Sequence, residues 1–368
     1  MIRNTTRLPH AAFRKLAPGG LVLDVFVLKA TLELDPCSAD LKAAAKQVPV
    51  CMGDRHAGGE AAHPAALVLA EPADAVLFKP GADIWVTGTA RSHDHRPLRR
   101  WAAGIGVGEV RHLVELYGPR RWTRGLMAWS LGAAEHTDAV ALDYRLAFGG
   151  HWEHRDPDAA QRAEASKPDN PAGCGWLPAG SALPALPAPA RRSLQEQLDA
   201  VQQMPAPQVL LPGQSLHHPS QDLPTAGLGP IARWWSPRSA FLGTRDAHWR
   251  STRYPHYPDD FDLRFLQAAV APLRAPQALR GDERVGLMGL LPEGDCGWQL
   301  PGLKPSLRAR LDDAREIQAP MRLDTLSVNL DTRQLCLSWR TVFPPAHTPR
   351  EVTVELDPWA LQRIGLPT

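Results

Sequence analysis

A strict two-residue alternation of apolar and polar side chains constrains this chain most, and it is clearest in the stretch LDTLSVNLDTRQLCLSWR, residues 323–340. Successive residues of a strand point to opposite faces, so this spacing predicts two strands that each bury one face. The tripeptide Asp331-Thr332-Arg333 predicts a hairpin turn between them. The residues assigned to the core are Leu326, Val328, Leu330, Leu335, Leu337 and Trp339.

Similar alternation recurs on both sides of a different middle region. In LVLDVFVLKATLELDP, apolar residues from Phe26 to Leu34 alternate with the residues from Val27 to Asp35. This pattern predicts a strand with one buried face. Further strands are predicted in DIWVTGTARS, GEVRHLVELYG, DAVALDYRLAFGG, RVGLMGLLPEGDCGWQLPG and EVTVELDP, with a short final helix in PWALQRIG.

Residues 151–228 are rich in Pro and Ala and predict a long connection that is ordered only in part. One helix is indicated there, because Ser193 and Glu196 form a capping box and Leu194, Leu198 and Val201 follow at helical spacing. The fold class is therefore mainly β, with antiparallel sandwich-like halves joined by this Pro-rich connection and its short helix. The halves are residues 1–150 and 229–368, either as separate units or as one continuous domain.

Composition argues against several function classes. The chain has 41 basic and 39 acidic residues and a net charge of +2, which gives no global attraction to nucleic acid or to an anionic membrane. The opening stretch MIRNTTRLPHAAFRK has no apolar segment typical of a signal peptide, and the five cysteines form no C-x-x-C pair. We therefore expect a cytoplasmic protein, monomeric when free, without a disulfide, a structural metal or a cofactor.

Two local patterns that could carry chemistry have simpler structural interpretations. Gly104, Gly106 and Gly108 form a glycine series, but the residues after it alternate as a strand instead of opening a phosphate-binding helix. His93 and His95 could share a metal ion, but they lie in a Pro-containing stretch between strands, where a polar turn is the simpler interpretation.

A cluster of acids, Asp259, Asp260 and Asp262, could act as paired carboxylates in glycoside hydrolysis. A Pro-bounded acidic loop more often caps a helix, here in DLRFLQAAV. The sequence contains no G-x-S-x-G elbow that would place a nucleophile. We therefore expect no catalytic residues and a non-enzymatic function.

The segment RWWSPRSAFLGTRDAHWRSTRYPHYP, residues 233–258, has neither helical nor strand periodicity but concentrates Trp, Tyr and Arg. These side chains dominate interface energies because they bury much area and still donate hydrogen bonds. Neighbouring residues of an extended chain point to opposite sides, so we expect at least one of Trp234 and Trp235 to be buried. The candidate partner-binding residues are Arg233, Trp234, Trp235, Arg238, Arg245, Trp249, Tyr254 and Tyr257.

Two other interpretations of this segment stay open. It could fold back as a lid over the edge of a sheet and protect that edge from strand-to-strand aggregation. Alternatively, exposed Trp rings could serve as sugar platforms in a carbohydrate-active or carbohydrate-binding β-sandwich protein. The second interpretation requires Trp234, Trp235 and Trp249 to line one exposed groove.

A series of short loop motifs follows the chain in a fixed order. They are Phe78-Lys79-Pro80, Ala147-Phe148-Gly149-Gly150, Asn170-Pro171-x-Gly173, Gly229-Pro230-Ile231, Ser236-Pro237-Arg238, Asp260-Phe261-Asp262, Leu279-Arg280-Gly281-x-Glu283, Gly289-Leu290-x-Pro292-Glu293-Gly294, Leu300-Pro301-Gly302-Leu303 and Arg322-Leu323-Asp324-Thr325. Each is weak alone, but together they resemble the bacterial family called domain of unknown function 2169, over most of the chain.

The resemblance implies a cytoplasmic adaptor, or chaperone, of the type VI secretion system. Such a protein would bind a toxic effector and help load it onto the spike protein. It implies no catalytic residues that could be carried over to this sequence. An adaptor needs a large, shaped and partly apolar surface, which agrees with the candidate partner-binding residues.

Overall fold

The structure, a computed structural model, describes residues 2–57, 66–154, 163–179, 188–344 and 349–366. Its strands, numbered along the chain, are β1 Ile2–Asn4, β2 His10–Leu16, β3 Val22–Glu33, β4 Lys42–Ala43, β5 Arg55–His56, β6 Leu69–Glu71, β7 Ala82–Thr87, β8 Thr89–Arg91, β9 Arg100–Val107, β10 Val110–Tyr117, β11 Arg121–Arg124, β12 Trp129–Leu131, β13 Ala139–Ala141, β14 Phe148–Gly149, β15 His151–His154, β16 Ala163–Ser166, β17 Cys174–Gly175, β18 Gln203–Pro205, β19 Val209–Leu210, β20 Arg274–Ala275, β21 Arg284–Met288, β22 Cys296–Gln299, β23 Ser306–Leu311, β24 Glu316–Pro320, β25 Arg322–Asn329, β26 Gln334–Phe343 and β27 Pro349–Glu355. Its α-helices are α1 Ala188–Ala200, α2 Ala247–Thr252 and α3 Pro358–Arg363. The fold is mainly β, as predicted.

The predicted hairpin forms the centre of the largest sheet, in which β2, β3, β26, β25, β7 and β20 follow one another and β4 pairs with β3. β25 and β26 are antiparallel, and all six residues assigned to the core are buried. β25 pairs with β7 in parallel, so this sheet is mixed rather than purely antiparallel. Strands from both predicted halves are therefore interleaved within one sheet.

Strand β3 departs from the prediction of a single buried face. Every residue from Val25 to Leu32 is buried, including Lys29 and Thr31. One face joins the main core through Phe26 and Leu28. The other face is covered by a second apolar cluster and by the chain before β7, which the alternation of β3 alone could not indicate.

A second large sheet has the order β19, β10, β9, β21 and β22 and packs into the same core. Its central β9–β10 hairpin contains the glycine series. A Cβ atom at Gly104 would lie 2.3 Å from the carbonyl oxygen of His112 on β10, so a larger residue would not fit there. The interpretation of these glycines as part of a strand is confirmed.

Part of the predicted connection builds a separate apolar cluster. α1 packs Leu194 and Leu198 beside Trp122 of β11 and Met204 of β18. The helix begins at Ala188, so Ser193 lies inside it and the capping box predicted at Ser193 is wrong. The helix can begin this early because Pro189 stands in the first turn, where a backbone N–H would have no helical partner. Residues 155–162 and 180–187 of the connection lie outside the described residues.

The stretch DAVALDYRLAFGG does not form one strand. It divides into β13, a 3-10 turn at Tyr144–Leu146 and β14, because Asp143 accepts a hydrogen bond from the backbone N–H of Arg145 and starts the turn. The predicted β21–β22 pair and the final helix α3 are confirmed. In the part of the chain that the structure covers, no helix combines the length and apolarity needed to cross a membrane.

Candidate partner-binding surface

The aromatic segment is fixed to the fold by inward-pointing side chains. Trp235 is 0% exposed and meets the buried ring of Tyr144 edge-on, with 5.4 Å between ring centroids. Trp234 is 40% exposed and stacks on His56 at 5.3 Å. The expectation that one of the two indoles is buried is confirmed, and Trp235 is not accessible to a partner.

Arg238 is also an anchor, not a surface contact. Its side chain is 2% exposed, with Nε donating to the carbonyl oxygen of Phe265 at 2.9 Å and Nη1 donating to that of Ile231 at 2.7 Å. Burial lowers the pKa of Arg238 to about 10, partly offset by Asp83, so the guanidinium remains charged near neutral pH. The bonds close the segment onto the chain that precedes β20, and they exclude the predicted direct contact with a partner.

Helix α2 carries the outward part of the segment. Asp246 caps it by accepting a hydrogen bond from the backbone N–H of Trp249 at 2.8 Å. The Trp249 ring is buried, and its Nε1 donates to the carbonyl oxygen of His256 at 2.9 Å. Trp249 is therefore a support for two exposed groups. The guanidinium of Arg245 lies 4.7 Å from its ring centroid, and Tyr254 packs edge-on at 5.7 Å.

The remaining predicted residues are partly committed to contacts within the chain. Arg233 forms an ion pair with Asp54 at 2.7 Å. Tyr257 is half-buried against Phe261, with ring centroids 4.2 Å apart. These contacts leave Arg245 and Tyr254 as the most outward members of the predicted set.

We call the exposed part of this segment the aromatic–arginine surface. Its basic and aromatic members from residue 245 to residue 256 are Arg245, His248, Arg250, Arg253, Tyr254 and His256, all exposed, and the exposed carboxylate of Asp246 lies in the same stretch. Because Trp235 and Trp249 are buried, the three indoles do not line one exposed groove, and the basis of the carbohydrate hypothesis is wrong.

The segment also covers part of a sheet, as the lid interpretation anticipated. Phe241 and Leu242 pack against the second apolar cluster, which contains Val25 and Val27 of β3 and is bordered by Phe13 of β2. The covered area is a face of the largest sheet together with its β2 end. The segment therefore combines an inner covering side with an outer exposed side.

A network of buried charges, which sequence reasoning missed, lies on that same sheet. Lys29 Nζ lies 3.0 Å from Asp74 Oδ2 and 3.1 Å from Glu71 Oε1, and Ser338 Oγ donates to Asp74 Oδ1 at 3.1 Å. Burial opposes the charged form of Lys29, but attraction to Asp74 and Glu71 outweighs it and raises the lysine pKa. Burial likewise opposes ionisation of Asp74, but Lys29 outweighs it and lowers the carboxyl pKa.

Nothing in the sequence pattern distinguishes Lys29 from a solvent-facing lysine, because its position in the alternation is the polar one. Its partner Asp74 belongs to a loop that is distant in sequence. The burial of Lys29 becomes evident only in the structure, where the loop that carries Asp74 covers the polar face of the strand.

The other residues considered for chemistry act structurally. Asp262 caps a 3-10 turn by accepting from the backbone N–H of Arg264 at 2.8 Å, as the capping interpretation predicted. Asp260 accepts from the hydroxyl of Thr244 at 2.7 Å. His95 is exposed and bonds Asp138 at 3.0 Å. Within the described ranges, no group of three or more His, Cys, Asp or Glu residues is placed to hold a metal ion.

Several of the loop motifs contact one another across long sequence distances. Lys79 Nζ donates to Thr325 Oγ1 at 2.6 Å, which joins the first motif to the last. Asn170 Nδ2 donates to the carbonyl oxygen of Phe148 at 3.3 Å, and the N–H of Gly302 donates to the carbonyl oxygen of Gly281 at 2.7 Å. The motifs therefore hold the scaffold together more than they line the aromatic–arginine surface.

The fold and the site together define a mainly β protein that presents an exposed cationic and aromatic surface on a segment anchored by buried side chains. The model of a family described as uncharacterized proteins conserved in bacteria, domain of unknown function 2169, matches residues 22–340. The chain belongs to this family. No curated protein and no solved structure matches it.

Proposed function

We propose that this protein is a non-enzymatic, cytoplasmic adaptor of the bacterial type VI secretion system that binds a toxic effector and helps load it onto the spike protein. Two arguments support the proposal: the implication of the family resemblance, and the aromatic–arginine surface. The observation that carries it is Tyr254, which is 68% exposed although its ring packs against the buried Trp249.

An exposed but positioned tyrosine favours binding for an entropic reason. A side chain already held against a neighbour loses less freedom when a partner covers it. The same applies to Arg245, whose guanidinium lies over the Trp249 ring. Tyrosine and arginine are also the side chains most enriched at energetically important positions of interfaces.

The charge of the surface indicates the chemistry of the effector. Among the residues that the structure describes, neither Arg245 nor Arg250 forms an ion pair with a carboxylate, whereas Arg253 pairs with Asp259. The guanidinium of Arg245 over the Trp249 ring, with the exposed Arg250 on the same helix as Trp249, fits a protein surface with Asp or Glu near apolar side chains. We therefore assign this surface to an acidic patch of the effector.

Loading requires a second contact, because the adaptor has to touch the spike as well. The β11–β12 hairpin offers one at its tip, where Leu126 and Met127 are fully exposed. Apolar side chains projecting from a turn are costly in water and are typical of docking sites. Methionine in particular adapts to irregular apolar partners.

The surface is tested by co-expression with the effector that the proposal assigns to this protein, identified as a toxin whose secretion is lost when this gene is deleted. We expect the variant R245A/Y254A to retain its melting temperature within about 2 °C, because both side chains are exposed, and to capture the effector at least about tenfold more weakly. The matched control is R315A/W359A, which removes one exposed arginine and one exposed aromatic elsewhere. Equal capture by R245A/Y254A and the wild type would show that this surface does not bind the effector.

A further inference from the structure

A pocket of about 310 Å³ lies between the end of β24 and the paired strands β25 and β26. The loop before β7 closes it with Phe78 and Lys79. The volume is at the lower end of the range for small-ligand pockets. Two of the loop motifs, Phe78-Lys79-Pro80 and Arg322-Leu323-Asp324-Thr325, therefore meet at one cavity.

Two arginines stand directly opposite each other in this pocket. Arg322 of β25 and Arg340 of β26 are register partners, and side chains of register partners share a face of the sheet. Like charges in this arrangement repel each other unless an anion lies between or beside them. Arg322 is exposed at the rim, whereas Arg340 is buried.

A β-bulge next to the two arginines places a carboxylate that offsets part of this repulsion. The register of β25 shifts between Leu323 and Thr325, so Asp324 is the extra residue. Bulges re-aim side chains, and Asp324 Oδ2 accepts from Arg340 Nε at 2.6 Å inside the protein. This carboxylate compensates Arg340 and leaves Arg322 without a matching acid among the pocket-lining residues.

The buried cations behind the rim are tightly held. Arg340 Nη1 donates to the carbonyl oxygens of Asp74 and Val76 at 2.6 and 3.0 Å, while its Nη2 has no hydrogen-bond partner within the described chain. Lys79 Nζ lies 3.0 Å from Asp83 Oδ2. Because each cation is paired with a buried carboxylate, Arg340 with Asp324 and Lys79 with Asp83, the two pairs add little net charge to the pocket.

The walls of the same pocket are apolar. Phe78, Ala319, Pro320 and Val342 line it beside the charged groups. An inorganic anion would leave these walls in contact with water. An anion that carries an apolar body of about one side chain would cover them and gain hydrophobic stabilisation.

We propose that this pocket binds a carboxylate attached to an apolar body, with the guanidinium of Arg322 making the direct contact. Arg322 supplies the attraction, because Arg340 and Lys79 are each paired with a buried carboxylate, Asp324 and Asp83. Arginine suits this role because its planar fork can donate two parallel hydrogen bonds to one carboxylate. The site does not depend on the proposed adaptor function, since it lies on different elements from the aromatic–arginine surface.

The test uses N-acetyl-phenylalanine and its amide, N-acetyl-phenylalaninamide, which differ in charge but share the apolar body. We expect titration calorimetry to detect millimolar binding of the acid and at least about tenfold weaker binding of the amide. R322E should weaken binding of the acid at least about tenfold as well, because it reverses the rim charge. R315E is the matched control, since Arg315 is exposed on the turn between β23 and β24 and does not line the pocket.

Equal binding of acid and amide, no binding of the acid at about 10 mM, or an unchanged affinity in R322E would each overturn the proposal. The source of the carboxylate is distinguished with a tetrapeptide that ends in phenylalanine, as free acid and as amide. Binding of the free-acid peptide identifies a peptide C-terminus, whereas binding of the small acid alone identifies a free small molecule. Both outcomes support a carboxylate site.

Discussion

Trp234 and Trp235 are neighbours in the sequence, yet one stacks on His56 at the surface and the other is fully enclosed. The sequence predicts that at least one is buried, because adjacent side chains of an extended chain diverge. It does not predict which one, since the choice depends on Tyr144, a residue far away in the sequence. Arg238 is a similar case. Composition predicts a surface arginine, but the carbonyl oxygens of Phe265 and Ile231, which hold its side chain inside, cannot be identified from the sequence.

Replacement of Arg238 tests its role as an anchor. R238A leaves the carbonyl oxygens of Phe265 and Ile231 without their buried donor, so we expect a loss of about 3 kcal/mol of unfolding free energy. Thermal or urea denaturation followed by circular dichroism measures this loss. R245A removes an exposed arginine from the same segment and should cost less than about 0.5 kcal/mol. A comparable, small effect of both changes would contradict the anchor role.

Strand β3 shows, at the scale of one element, what a two-residue period does and does not establish. The alternation correctly identifies the strand and the face that joins the main core. The polar face is buried too, because Glu71 at the end of β6 and Asp74 in the loop that follows lie over Lys29. Period two reports which residues share a face, and it carries no information on whether another part of the chain covers that face.

The buried Lys29–Asp74 pair leads to a prediction about pH. The folded-state pKa of Asp74 lies below its ordinary 3.8, so its contribution to stability is present above that value and is lost as the pH falls through the folded-state pKa. The folded-state pKa of Lys29 lies above its ordinary 10.5, so its contribution is present below 10.5 and is lost only as the pH rises through the folded-state value. The pair should therefore be intact across the neutral range.

K29M breaks this pair and leaves Asp74 buried without its main cation. We expect it to cost about 3 kcal/mol or more near pH 7, and less near pH 4.5, where the carboxyl can take up a proton. Melting temperatures of variant and wild type at both pH values measure the change. In the double variant K29M/D74N the cost should vary less with pH over this range, since Glu71 is then the carboxylate that remains beside position 29. A K29M cost that is equally large at both pH values would show that Asp74 is not the group responsible.

At the scale of the whole molecule, the sequence predicts the mainly β class, the central hairpin and the final helix. It does not predict that β7 pairs in parallel with β25, or that β9 pairs with β21, which is far away in the sequence. Each strand reports its own periodicity, whereas pairing depends on which edges meet after collapse. The candidate site follows the same division: composition identifies the segment, and packing decides which of its side chains face outward.

The adaptor account requires one molecule with two separate surfaces. The aromatic–arginine surface and the tip of the β11–β12 hairpin belong to different parts of the fold, since α2 contributes to the first and the cluster around Trp122 supports the second. We therefore expect this protein to bridge the effector and the spike, which is a more specific role than binding either partner alone.

Retention of the effector on the tagged spike protein, with and without this protein, tests bridging most directly. Purified effector is passed over the immobilised spike, and the bound amount is measured in the presence of the wild type or R245A/Y254A. The account predicts strong retention only with the wild-type protein, at least about tenfold above the other two conditions. Equal retention of the effector when this protein is left out would contradict the account.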